Sequence, residues 1–236
     1  MKKLTIVVGV LLAVVFMGSV ASADNFNLND WLFNVNGTVY NPTALPANFN
    51  ASGFDFSTPN SALGTITAVF SAAGSYKVLG FFDFDIEGST NPITNEIGVV
   101  HNLGNLGAGE SYEVGLGESS EPSPGVLEDA LAGILTNSNT ALLPHDVAMA
   151  LGWNFTVAAT PVTLTFALSK TDPGGTAFYL QQADVLPGGG PNSDSSIYYS
   201  SSMNTGQVPP SVPEPGTLLL LGSGLAMVFV GLRMRR

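Results

Sequence analysis

The sequence predicts an all-β body, an antiparallel β-sandwich of roughly nine strands with one short helix. Three observations carry this. Apolar residues alternate in short runs, and Gly, Ser, Thr and Asn separate the runs, as expected of half-buried strands joined by turns. The runs recur at even spacing, which favours two stacked sheets, with a closed barrel as the alternative. Only one internal stretch has a helical period, and it is short. An N-terminal signal helix and a C-terminal transmembrane helix are expected to flank the body.

The first element is the signal helix. Lys2 and Lys3 form a positive start, Leu4 to Val20 is largely apolar, and Ala21-Ser22-Ala23 offers the small-x-small pattern of a signal peptidase site. Cleavage between Ala23 and Asp24 is the expectation, with a retained N-terminal anchor as the alternative. Residues 1–23 are therefore set apart from a body over 24–206.

Within the body, strands are expected at Trp31–Tyr40, Ala62–Ala72 and Tyr76–Gly88. Further strands fall in "EIGVVHNLG", "ESYEVGLGE", "DVAMALGWNFTVA", "TPVTLTFALSK", "TAFYLQQAD" and "SIYYSSSM". In "EPSPGVLEDALAGILTNSN", Val126, Leu127, Ala130, Leu131, Ile134 and Leu135 share one helical face. Ser123-Pro124 reads as a cap and first turn, so a helix over Pro124–Leu135 is expected at one end of the sandwich. Pro187–Ser196 reads as a loop, and the chain thins into a linker beyond residue 206.

The last element is the tail. Thr217 to Leu232 is an apolar run of 16 residues. As a helix it would reach about 24 Å, somewhat short of a hydrocarbon core of about 30 Å. Arg233, Arg235 and Arg236 follow and would stay on the cytoplasmic side, as would Lys2 and Lys3. Both ends thus place the body outside the cytoplasm, with the tail held in the inner membrane.

Val212-Pro213-Glu214-Pro215, the apolar run and the terminal arginines together resemble the PEP-CTERM sorting signal. The resemblance implies a substrate of exosortase, a membrane-embedded cysteine transpeptidase of some Gram-negative bacteria. It further implies cleavage near Pro213, Glu214 and Pro215, loss of the helix, and delivery of the body to the cell surface or matrix. Without it, the tail reads as a plain C-terminal anchor. The body is similar to a recurrent extracellular body of such proteins, on "FFDFDIEGSTNPITNEIG", "GAGESYEVGLGE", "LAGILTNSNT", "HDVAMALGWNF" and "TAFYLQQAD". That likeness spans roughly Leu79 to Ser202 and implies a β-rich surface domain with no assigned activity.

Composition narrows the function. The stretch 24–211 holds two lysines, Lys77 and Lys170, against 17 acids, a formal charge of −15. Nucleic acid and anionic lipid are expected to be repelled. There is no cysteine, hence no disulfide, thiolate site or cysteine nucleophile, and His101 and His145 are the only histidines.

The sharpest local candidate is "FFDFDIEG". Asp83, Asp85 and Glu87 share one face of a strand about 7 Å apart, opposite Phe82, Phe84 and Ile86. A solvated acidic edge is the plain reading. Calcium, which takes six to eight oxygen ligands, is the alternative, with Asn91, Asn95 and Glu96 available past the turn. No other cofactor is implied. Trp153 falls on the apolar face of Val147, Met149, Leu151, Phe155 and Val157 and is expected in the core; a sugar-stacking role is the alternative. Trp31 is open between the two. No nucleophile elbow, zinc helix or phosphate loop is present, and His145-Asp146 has no nucleophile at a recognised spacing. Asn36, Asn50 and Asn154 head N-x-S/T patterns that this composition produces by chance.

The resulting expectation is a non-enzymatic surface or matrix protein, structural or adhesive within an exopolysaccharide layer. A calcium-dependent glycan-binding module is the first alternative, and a secreted hydrolase with a carboxylate pair the second. The expected partners are signal peptidase, an exosortase-type transpeptidase and extracellular polysaccharide. Contact with the membrane is expected only through the C-terminal helix.

Overall fold

Period-two alternation gives each strand an apolar and a polar side, and two sheets meet on their apolar sides. The computed structural model describes residues 25–40, 45–52, 63–87, 95–117, 125–185 and 190–206. The expected signal helix and the sorting tail lie outside them. Strands run in the order β1 (Asn25–Val35), β2 (Thr38–Tyr40), β3 (Phe49–Ser52), β4 (Gly64–Phe70), β5 (Gly74–Glu87), β6 (Glu96–His101) and β7 (Glu110–Leu116). Helix α1 (Val126–Ala132) follows, then β8 (Ser138–Asn139), β9 (Val147–Val157), β10 (Val162–Ser169), β11 (Tyr179–Val185) and β12 (Pro191–Thr205).

The first sheet has the order β2-β1-β5-β9-β7-β8 and the second β3-β4-β10-β12-β11-β6. All pairings are antiparallel except the two-residue contact of β7 with β8. The sandwich expected from the sequence is thus present, with more strands than the alternation showed.

The differences have local causes. The run Trp31–Tyr40 is a hairpin rather than one strand. Asn36 (φ 51) and Gly37 (φ 83) form a two-residue turn that closes on the Val35–Thr38 pair, the conformation Asn-Gly favours because both positions need positive φ. β3 and β8 are too short to display a period. Pro191–Ser196, expected as loop, already belongs to β12, where Val185 faces Pro191. The helix is shorter than its apolar period: Gly133 (φ 72) ends it in a left-handed cap, leaving Ile134 and Leu135 beyond. Its start is Gly125, whose N–H donates to the Glu128 carboxylate at 3.0 Å; Pro124 lies outside the described residues.

Phe33 stands at the centre of the core, edge-on to Phe49, Phe82 and Phe166 with centroids 5.0–5.9 Å away. Tyr199 reaches across from the second sheet, and its hydroxyl donates to the Gly80 carbonyl of the first at 3.1 Å. Gly80 has to be glycine there, since a Cβ would meet Tyr199 Oη at 2.6 Å and Phe33 Cε1 at 2.8 Å. Trp31 and Trp153 are both buried in this core.

A second, smaller core lies on the outer side of the first sheet, where α1 sets Val126 and Ala130 against Leu32, Phe81, Ala148 and Ala150. The helix therefore covers a sheet face rather than an end of the sandwich. Buried Asn34 ties it down: Nδ2 donates to the carbonyls of Ala130 and Leu131, both at 3.0 Å, and Oδ1 accepts the Gly37 N–H at 2.9 Å. Among the described residues, no helix is long and apolar enough to cross a membrane.

The sheets end on short or covered strands. β2, β8 and β3 have three, two and four residues. β6 is flanked by the segment 139–145, with Gly98 N–H donating to Ala141 O and backbone bonds both ways between Glu96 and His145, all at 2.9 Å.

Candidate functional site

The acids gather on the outer side of the first sheet. Asp83 faces Asp30 across the β1–β5 ladder, and Asp85 lies two residues further along the same side. This is not the solvated row expected from alternation. Asp83 is 6% exposed, and Asp85 is half-buried. Burial first, then the charges of Asp146 and Asp85, push the Asp83 carboxyl up to about 7. Asn29 Nδ2 approaches its Oδ2 at 3.5 Å, while its buried Oδ1 has no hydrogen-bond partner among the described residues. Such a group holds a proton near neutrality or draws a cation. Among the described residues, no three His, Asp or Glu side chains are grouped to hold a metal. The side chain of Glu87, and Asn91 as a whole, lie outside the described residues.

Two expected helpers of that site are engaged elsewhere. Asn95 Nδ2 donates to Asp184 Oδ1 at 3.2 Å. Glu96 points into the sandwich, where its carboxylate accepts the N–H groups of Ile86 (2.7 Å) and Val147 (3.1 Å) and the Gln182 amide (2.7 Å). The same Gln182 amide donates to Phe84 O. The pairing of β5 with β9 ends at Asp83–Ala148, so Glu96 and Gln182 satisfy backbone groups that the ladder leaves behind.

At the opposite end, Trp153 Nε1 donates to Ser201 Oγ (2.9 Å), whose hydroxyl donates to Glu110 Oε1 (2.6 Å), and the Gly107 N–H donates to Oε2 (2.8 Å). Trp153 is thus a core residue with its indole N–H satisfied, not an exposed stacking platform. His101 Nε2 lies 2.8 Å from Gln181 Oε1, with its ring stacked on Tyr179. His145 is exposed, and its backbone bridges Glu96.

Lys77 lines a concavity. A shallow depression of about 360 Å³ lies where Lys77 faces Asn154 and Ser75 faces Thr156, bordered by Asn36. Lys77 forms no ion pair among the described residues. Lys170 Nζ lies over the Phe26 ring, 4.1 Å from its centroid.

The outer side of the second sheet is different in kind. Inward Ile66, Ala68, Phe70, Leu164, Phe166 and Leu168 leave Thr67, Val69, Thr165 and Ala167 facing out between them. The registers align Asn50 with Thr67, Thr67 with Thr165, and Thr165 with Ser202, one row across four strands. Thr65 and Ser200 flank that row, each opposite Ala167. The outward positions of β4, β10 and of β12 from Ser196 onward carry no charged residue. The alternating Thr and Ser were visible in each strand; their alignment depends on registers between distant segments.

Residues 211–236 match the family model of the PEP-CTERM protein-sorting motif. No curated protein and no solved structure matches the chain. The motif supports export, membrane transit and processing by an exosortase-type enzyme. The expectation drawn from Pro213-Glu214-Pro215, the apolar run and the arginines is met: this chain carries a PEP-CTERM protein-sorting motif at its C-terminus.

Proposed function

We propose that this exported protein is a non-enzymatic component of the cell surface or extracellular matrix, structural or adhesive within an exopolysaccharide layer. The sorting motif carries the reading, and the strongly acidic body, with uncharged outward positions on β4, β10 and β12 from Ser196 onward, supports it. The intact mass of the protein recovered from the outside of its native host tests it. A start at Asp24 and an end near Glu214, with or without an added group, is the expected result. A mass that retains Leu218 to Arg236 sinks it, since the body would then be tethered at the inner membrane.

A calcium-dependent glycan-binding module is the second reading, favoured by one observation: buried Asp83 has an unsatisfied oxygen beside Asp146 and Asp85. A rise in Tm with calcium that disappears in Asp83→Asn and in Asp85→Asn is its signature. An unchanged Tm at millimolar calcium removes the metal.

A further inference from the structure

The body carries 17 acids and two lysines, and among the described residues the acids on strands concentrate on the outer side of the first sheet. Asp30, Asp83, Asp85 and Glu113 lie on the outer side of the first sheet, with Asp129 of α1 acting on Glu113. The second sheet offers Asn50, Thr67, Thr165 and Ser202 in one row, with Thr65 and Ser200 beside it. Asn50 and Ser202 are exposed, and Thr67 and Thr165 are half-buried. None of these four side chains is committed to another protein group among the described residues. Strands lie about 4.8 Å apart, so the row extends about 14 Å, with further outward positions about 7 Å along each strand.

We propose that this side of the second sheet is a docking surface for an uncharged polysaccharide chain. Each Ser or Thr hydroxyl both donates and accepts, and the amide of Asn50 does the same through separate atoms, matching the hydroxyls of a sugar polymer. Charge selects the occupant. An anionic polymer finds no lysine or arginine at the outward positions of β4, β10 and β12 from Ser196 onward and an acidic body around them, while a cationic partner is drawn to the other sheet. A neutral polyol loses nothing to either, and its binding is insensitive to salt. The inference rests on the adhesive reading above and gives that reading its ligand class.

The test uses the full chain in mild detergent with three probes: a neutral β-glucan, a neutral mannan and anionic polygalacturonate. Retention by at least one neutral polymer, unchanged at high salt, is expected. Ser202→Lys and Thr165→Lys should each weaken it about tenfold or more, the equivalent of about 1.4 kcal/mol. Ser202 is exposed, so its variant keeps the parent Tm and stands if Thr165→Lys fails to fold. Failure of both neutral polymers to bind, or binding by Ser202→Lys equal to the parent, overturns the proposal. So does retention only by polygalacturonate that salt and Lys77→Ala abolish, which would move recognition to the depression on the first sheet. A chain found outside the cell that binds neither neutral polymer sinks this surface alone. A chain retained at the inner membrane sinks the adhesive reading as well.

Discussion

The carboxylate of Glu96, on the second sheet, accepts the backbone N–H of Ile86, on the first, at 2.7 Å. With Val147 N–H and the Gln182 amide on its other oxygen, it closes one end of the sandwich where β5 and β9 part. Glu96→Ala leaves two buried N–H groups without acceptors. It is expected to lower the unfolding free energy by about 2–5 kcal/mol, read by urea denaturation, while Glu96→Gln costs less.

The body should be more stable in mild acid than in mild base. Burial pushes Glu96 up to about 8 from an ordinary 4.5, Asp83 up to about 7 from 3.8, and Glu113 up to about 7 from 4.5. Between the ordinary and the raised value the folded chain holds a proton that the unfolded chain has released, so stability falls as pH rises. Tm is expected to decline from about pH 5 to about pH 8, each group contributing at most about 1.4 kcal/mol per pH unit. A Tm rising over that range contradicts these environments.

Asp83→Asn separates one of these groups from the rest. The amide carries no charge toward Asp146 and Asp85, so without added cations the variant should exceed the parent by about 1–3 kcal/mol at pH 8. At pH 4, where the parent carboxyl is protonated, the two should converge. Equal pH profiles for the two proteins would place Asp83 in water.

Gly80→Ala tests the centre of the core. Its Cβ would overlap Tyr199 Oη and the Phe33 ring, for an expected loss of about 1–3 kcal/mol. Tyr199→Phe removes the hydroxyl that obstructs it. The double variant should therefore lose less than the two single losses added together.

Asn34→Ala removes both bonds to the end of α1 and the acceptor for Gly37. A loss of about 1–3 kcal/mol is expected. Amide exchange should rise first in 126–133 and at the 36–37 turn, because one side chain serves both; exchange rising evenly over both sheets would contradict that link.

Much of the sandwich was legible in alternation. The β9 pattern placed Val147, Met149, Leu151 and Trp153 inside, and they are buried. Asn36-Gly37 carried its turn signal openly, but the apolar residues on both sides let one strand be read through it. The exposure of Asp83 was not legible, because alternation separates the two sides of a strand without saying that more chain will cover the outer one. Glu96 read as a spare oxygen ligand past a turn; its inward aim follows from the register of β6 on β11, where it faces Asp184. The hydroxyl row is similar, with Thr67 and Thr165 visible singly and aligned only by the ladder between them.

The brevity of β2, β3 and β8, and the cover over β6, bear on what happens when copies crowd together. An open strand edge is a template on which another molecule can extend the sheet, the first step toward fibrils. Here the terminal strands offer two to four residues each, while β2 covers β1 only at Phe33–Val35 and leaves Asn25–Leu32 with β5 as its one strand partner among the described residues. When copies crowd together, the stretch 25–32 of β1 is therefore the longest template for edge addition on the first sheet, and the short terminal strands restrict such growth elsewhere.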